Sequence, residues 1–245
     1  MKLINQLELY SRNAMPALEM KEIDDSLLQY SYGYTKRANS VIPYTNSIHK
    51  VESFVSDCED FYQKKERPTI FKMIDHHSYH DLAEFLEKNG YTKHSPSLVK
   101  QANLCELPLL KKQKYGQYVT KDIWIEGLLK LHSISSKDVK YLNMMVEKQR
   151  KKQVFVQLVE DGELLSSGTA ILDHQHVGLF HIITKEERRG EGFAKQLVQQ
   201  LLTWGKQNGA KNAYLQVLKE NEAAVKLYNH FGFSNVFEYY YFIKS

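Results

Sequence analysis

The sequence predicts an α/β protein built as two related lobes, and three observations carry that prediction. Strands and helices alternate through the second half of the chain, the first half repeats part of that order, and the composition leaves little for disordered tails. At 245 residues there is room for one large domain or two small ones. Gly (12) and Pro (5) are scarce while apolar residues reach 42%, so nearly every segment can join an ordered, packed element.

Taken in order, 118–131 reads as a strand and 136–149 as a helix with Val139, Leu142, Met145 and Val146 on one face. Segments 152–159 and 164–172 are two strands joined by Glu160-Asp161-Gly162-Glu163, where Asp-Gly is the hairpin signal. Residues 177–184 are apolar almost throughout, the pattern of a central strand. After Arg189-Gly190-Glu191-Gly192 comes a helix with Phe193, Leu197, Val198, Leu201, Leu202 and Trp204 on its inner side. Strand 212–218, helix 222–231 and an aromatic strand 233–243 finish the chain. The order β-α-β-β-β-α-β-α-β implies a mixed sheet with helices on it.

In the first half, Val51, Phe54, Val55, Cys58, Phe61 and Tyr62 form a helical stripe, 69–74 a strand and 81–88 a helix. Aligning Phe54 with Leu197, Cys58 with Leu201 and Phe61 with Trp204 holds an offset of 143, and strand 69–74 falls on 212–217 at the same offset. Gly90-Tyr91 falls on Gly232-Phe233 at 142. The shared spacing predicts an internal repeat, with lobes at 1–112 and 113–245.

Several function classes are excluded. A net charge of +4 is too mild for a nucleic-acid surface, and Lys148-Gln149-Arg150-Lys151-Lys152 reads as a solvated helix end. Two cysteines, Cys58 and Cys105, build no disulfide framework; with no N-terminal export signal the expected setting is cytoplasmic. No apolar run is long enough for a membrane span. His76-His77-Ser78-Tyr79-His80 and Asp173-His174-Gln175-His176 read as polar loops, so no metal is expected.

The sharpest chemical signal is Arg189-Gly190-Glu191-Gly192-Phe193-Ala194, between an apolar strand and an amphipathic helix. Glycines let backbone N–H groups approach a ligand, and the helix start adds unpaired N–H groups with positive partial charge, which suits a pyrophosphate. Arg188 and Arg189 add mobile positive charge there. A plain turn needing positive φ accounts for the glycines equally well. Neither a dinucleotide fingerprint nor a P-loop is present. Downstream, Asn221 caps a helix with Ala224, Leu227 and Phe231 in a stripe, and Gly232 provides the left-handed stop. Tyr228 beside that stripe carries a titratable hydroxyl, in a setting where tyrosine is more often core than catalyst.

Together these motifs resemble the GNAT superfamily of acyl-CoA-dependent N-acetyltransferases over roughly residues 117–245. The family's pyrophosphate loop, Arg/Gln-x-x-Gly-x-Gly/Ala, is matched by Arg189, Gly192 and Ala194. Its later Asn-x-x-Ala-x-x-x-Tyr-x-x-x-Gly-Phe is matched by Asn221, Ala224, Tyr228, Gly232 and Phe233. The resemblance implies a largely antiparallel sheet and direct acetyl transfer from acetyl-CoA to a primary amine of a small molecule or peptide, without metal. It implies that Ile182, Ile183 and Thr184 pair with the pantetheine arm and that Arg189, Gly190, Glu191, Gly192, Phe193 and Ala194 hold the pyrophosphate. Asn221 would contact the cofactor, backbone N–H near Ile183 the oxyanion, and Tyr228 would protonate the leaving thiolate. For the base that deprotonates the amine, His181, His176, Glu126 and a water chain remain open.

The first lobe departs from the family. Pro43-Tyr44-Thr45-Asn46-Ser47-Ile48-His49-Lys50 has no glycine at the loop position, and Leu86 stands for Tyr228. This looks like the degenerate half of a two-lobed bacterial GNAT protein, expected to bind no acyl-CoA and to wall the acceptor groove. The alternative is a non-catalytic acyl-CoA sensor or interaction module.

Overall fold

A computed structural model describes residues 2–44, 48, 50–107 and 116–244. The expected lobe boundary at 112/113 and positions 45–47 and 49 of the glycine-free loop lie outside the described residues.

The first half contains α1 (Lys2–Ala14), β1 (Glu19–Ile23), β2 (Ser26–Tyr30), β3 (Val41–Ile42), α2 (Val51–Gln63), β4 (Ile70–Ile74), α3 (His80–Lys88) and β5 (Tyr91–Asn103). The second contains β6 (Gly116–Val119), α4 (Lys121–Lys130), α5 (Val139–Lys148), β7 (Lys152–Glu160), β8 (Glu163–Asp173), β9 (His176–Thr184), α6 (Phe193–Gln207), β10 (Asn212–Leu218), α7 (Glu222–His230) and β11 (Ser234–Lys244). The series α2-β4-α3-β5 recurs as α6-β10-α7-β11, and α3 and α7 coincide at both ends when shifted by 142.

All described strands belong to one sheet ordered β1-β2-β3-β4-β11-β5-β10-β9-β8-β7-β6. Pairing is antiparallel except at β3–β4 and β9–β10, the equivalent places of the two halves. Each half lends its last strand to the other. β11 pairs with β4 from Tyr239↔Ile74 to Ile243↔Ile70, while β5 pairs with β10 from Asn212↔Asn103 to Leu218↔Ser97. The two exchanged strands also pair with each other, Ser234↔Gln101 to Lys244↔Tyr91. Side chains follow: Phe242 of β11 packs into the core holding Phe54 and Phe71, and Leu98 of β5 into the core holding Val217 and Leu197. Each such buried side chain contributes about 1.5–3 kcal/mol, so the exchange ties the two cores together.

Two local expectations are corrected, and one strand, β5, goes unmarked in the sequence. Residues 118–131 are a short strand followed by α4; Thr120 Oγ1 accepts the Ile123 N–H at 3.4 Å, and Trp124, Ile125 and Leu128 bury a helical face. The helix expected over 136–149 starts at Val139. β5 carries Ser, Lys, His and Pro that hide it as a strand; a bulge at Ser95 (φ +52°) and Pro96, two residues against Tyr240, absorbs the missing proline N–H. The hairpin at Asp161-Gly162 is as expected, with φ of +49° and +82°.

Candidate active site

β9 and β10 run in register only from Asn212↔His176 to Tyr214↔Gly178 and then part. The cause lies in β9. Ser167 faces Ile183 and Thr169 faces Phe180, so His181 and Ile182 together oppose Gly168. His181 sits at φ +52°, a costly conformation for a residue with a Cβ, and the bulge bends the strand away from β10. Gly168 is required beneath it, since a Cβ there would lie 2.8 Å from Ile182 Cδ1.

The parting opens a cavity of about 430 Å³. β9 contributes Phe180, His181 and Ile182, the α7 segment contributes Asn221 and Tyr228, and the first lobe contributes Met15, Tyr34 and Arg37. Tyr228 is 7% exposed, and burial pushes its pKa up to about 12, so its hydroxyl stays protonated and can donate. The Phe233 ring meets it edge-on at 5.9 Å.

Of the three side chains considered as bases, the cavity holds His181. Burial, reinforced by the nearby Arg37 charge, drives its pKa down to about 4, so the imidazole is neutral at physiological pH. Its Nε2 lies 3.4 Å from the Tyr34 hydroxyl and its Nδ1 has no hydrogen-bond partner. His176 sits at the paired root of the strands against Tyr10, ring centroids 5.0 Å apart. Glu126 is exposed on α4 and is not part of the cavity lining.

At the glycine loop, Gly190 (φ +85°) and Gly192 (φ +88°) both take left-handed backbone, and a Cβ on either would meet nothing within 4 Å. The glycines therefore serve conformation and an open face, leaving bare backbone. Gly192 caps α6 without a side-chain bond, so the first N–H groups of that helix, at Phe193 and Ala194, carry no side-chain cap. An open, positively polarised cradle of this kind fits a pyrophosphate. Arg189 is mostly exposed, with one ion pair to Glu186 at 3.3 Å, and is free to swing. Arg188 was expected to be mobile but is held: Glu163 (2.8 Å) and Glu160 (3.4 Å) tie it to the β7–β8 turn and Glu191 (2.9 Å) to the glycine loop.

At the end of β9, the Lys185 N–H donates to Leu165 O at 2.8 Å, and alternation turns the Ile183 backbone the same way, toward β8. The Ile183 carbonyl also accepts the Ser166 hydroxyl at 2.6 Å. Thr184, between them, turns its backbone groups toward the open side. Asn221 Oδ1 accepts the Ala224 N–H at 3.1 Å, so the side chain that borders the cavity also caps α7.

Sequence reasoning missed Met15, Tyr34 and Arg37 as cavity residues. Met15 follows the end of α1, and Tyr34 and Arg37 lie in the connection between β2 and β3, Arg37 on a short 3-10 turn, and no periodicity marks them.

Residues 120–233 match the family described as "Acetyltransferase (GNAT) family". The chain is 31% identical over 247 residues to the "Uncharacterized N-acetyltransferase YobR" of Bacillus subtilis (strain 168), covering 98% of each. A GCN5-related N-acetyltransferase from Kribbella flavida superposes with a TM-score of 0.71 at 10% identity, covering 98% of this chain and 94% of that one. A tandem GNAT protein from the clavulanic acid biosynthesis pathway gives 0.64 at 11% identity, covering 78% and 68%. At such identities the two structures share the fold with this chain. The match to YobR extends through both halves, and by that shared length and identity the chain belongs to the GNAT acetyltransferase family.

Proposed function

We propose that this chain is an acetyl-CoA-dependent N-acetyltransferase that moves an acetyl group directly to a primary amine. In this reading residues 113–245 hold the donor, and the degenerate lobe 1–112 walls the acceptor side. The observation that carries it is the protonated Tyr228 hydroxyl in the same cavity as the bulged, parted stretch of β9 at Phe180, His181 and Ile182.

Acetyl-CoA supplies a thioester already activated for attack. The N–H groups of residues 190–194 and the Arg189 side chain bind its pyrophosphate, and Ile182, Ile183 and Thr184 flank the pantetheine arm. Of these, Thr184 presents the free backbone groups. Asn221 steadies the arm at the cavity edge. Backbone N–H groups at the parting of β9 from β10 stabilise the developing oxyanion. Tyr228 gives its proton to the departing sulfur. An amine of pKa about 10 must first lose a proton, and His181, held neutral near pKa 4, is too weak a base to take it. Solvent in the cavity therefore carries that proton away. Positioning and electrostatics suffice, and no residue is acylated. We place the enzyme in the cytoplasm; no helix among the described residues is long and apolar enough to cross a membrane.

Calorimetric titration with acetyl-CoA tests the donor assignment. Micromolar binding, with a matching rise in melting temperature, supports it. No binding by acetyl-CoA or CoA overturns it.

A further inference from the structure

We infer that the acceptor amine carries an anionic group, a carboxylate or a phosphate, and that Arg37 of the first lobe receives it. The inference rests on the acetyltransferase reading above.

Arg37 lines both the main cavity and an adjoining recess of about 240 Å³ where Lys36, Ser95 and Ser97 also meet. Its guanidinium shares a side-chain hydrogen bond with Tyr239, but its Nε is shut off from solvent without a partner, and among the described residues no ion pair joins Arg37 to a carboxylate. The nearby buried carboxylate, Glu8, is already spent: Lys72 Nζ donates to its two oxygens at 2.7 and 2.6 Å. The Tyr239 hydroxyl, next to Arg37, donates to Gln216 Oε1 at 3.0 Å.

A largely buried guanidinium that touches a phenol but no carboxylate keeps part of its fork unspent, and an unpartnered buried N–H is costly. Arg37 faces empty volume. Against burial, which works to raise it, Arg37, Lys72 and a Ser97 hydrogen bond pull the Tyr239 pKa below the usual tyrosine range, and against its own burial Tyr239, Tyr241 and Glu8 in turn raise that of Arg37. Lys36 adds a second cation, its Nζ on Ser95 Oγ at 2.8 Å. A planar guanidinium fork matches carboxylate or phosphate oxygens in pairs. The donor's own phosphates do not account for this charge. Their proposed cradle, Gly190 to Ala194 with Arg189, shares no residue with the cavity or the recess.

The test uses the full chain saturated with CoA for binding and with acetyl-CoA for turnover. Matched acceptors differ only in the anion: an amino acid against its amide, and phosphoethanolamine against ethanolamine. Calorimetric affinity and thiol release are both read. Wild type should favour the anionic member of at least one pair by ten- to a hundredfold, and the pair that responds identifies carboxylate or phosphate. Arg37→Gln should erase the preference and Arg37→Lys keep part of it, with acetyl-CoA affinity within twofold of wild type in each. If Arg37→Gln does not fold, the wild-type panel decides alone. Acetyl-CoA binding with no preference inside either pair, or with no anionic compound bound, overturns the anion assignment and leaves the donor reading standing. Failure to bind acetyl-CoA overturns the donor reading itself.

Discussion

Tyr34 of the first lobe and His181 of the second meet across the cavity, phenol oxygen to Nε2 at 3.4 Å, 147 residues apart in sequence. Burial raises the Tyr34 pKa and depresses that of His181, so both groups are neutral where they touch. The contact is a neutral hydrogen bond, worth about 1 kcal/mol, and it brings the first lobe onto the bulge that parts β9 from β10.

The depressed pKa of His181 has a stability consequence. An unfolded histidine protonates near 6.5 and folded His181 near 4, so between these values the unfolded chain holds the extra proton. Stability therefore falls as pH drops through that window, by up to about 3 kcal/mol from this group. His181→Asn, which tolerates the positive φ, should flatten the slope in urea denaturation between pH 7 and 4. An unchanged slope would mean His181 does not carry it.

Strand exchange makes the second half dependent on the first. β10 and β11 do not pair with each other, because β5 lies between them. A fragment of residues 113–245 exposes both edges and loses Leu98 and Ala102 from its core. It should aggregate or lack a cooperative unfolding transition, whereas a fragment as stable as the full chain would contradict this dependence.

The donor role proposed for the glycine loop predicts a sharp loss. Gly192→Asp puts a negative charge and a Cβ on left-handed backbone at the start of α6, and Arg189→Glu reverses the mobile cation. The double variant should weaken acetyl-CoA by a hundredfold or more in calorimetry while its circular dichroism stays native. Retained affinity would remove the loop from donor binding.

Much of this was legible in residue order. The glycine loop, Asn221 and Tyr228 are local signals: a turn, a cap and a helix position that no distant contact is needed to define. The repeat was legible for a similar reason, since apolar spacing survives even though Leu86, fully buried, has replaced the hydroxyl. The exchange of β5 and β11 was not legible, because register between strands far apart in sequence leaves no periodic trace. The stretch from Tyr34 to Val41 gives a weak family impression in the sequence, but nothing in it marks Arg37 as a cavity residue, because a buried cation looks like any surface arginine until its surroundings are known. The α4 helix was misread where Ile and Trp favour strands, although Thr120 and the spacing of Trp124, Ile125 and Leu128 carried the helical signal.

The pH profile gives a further check. With Tyr228 protonated up to about pH 12, the acid we propose is not lost in the working range. The rate should climb as the acceptor amine deprotonates and show no fall between pH 8 and 10. A decline centred in that interval would point to a different acid.

Release of free thiol by the purified full chain, given acetyl-CoA and a panel of primary amines, tests the central claim most directly. The account predicts amine-dependent release that Tyr228→Phe lowers by about 10²–10⁴-fold with acetyl-CoA affinity unchanged. Acetyl-CoA binding without thiol release for any amine, or full turnover in Tyr228→Phe, would contradict it.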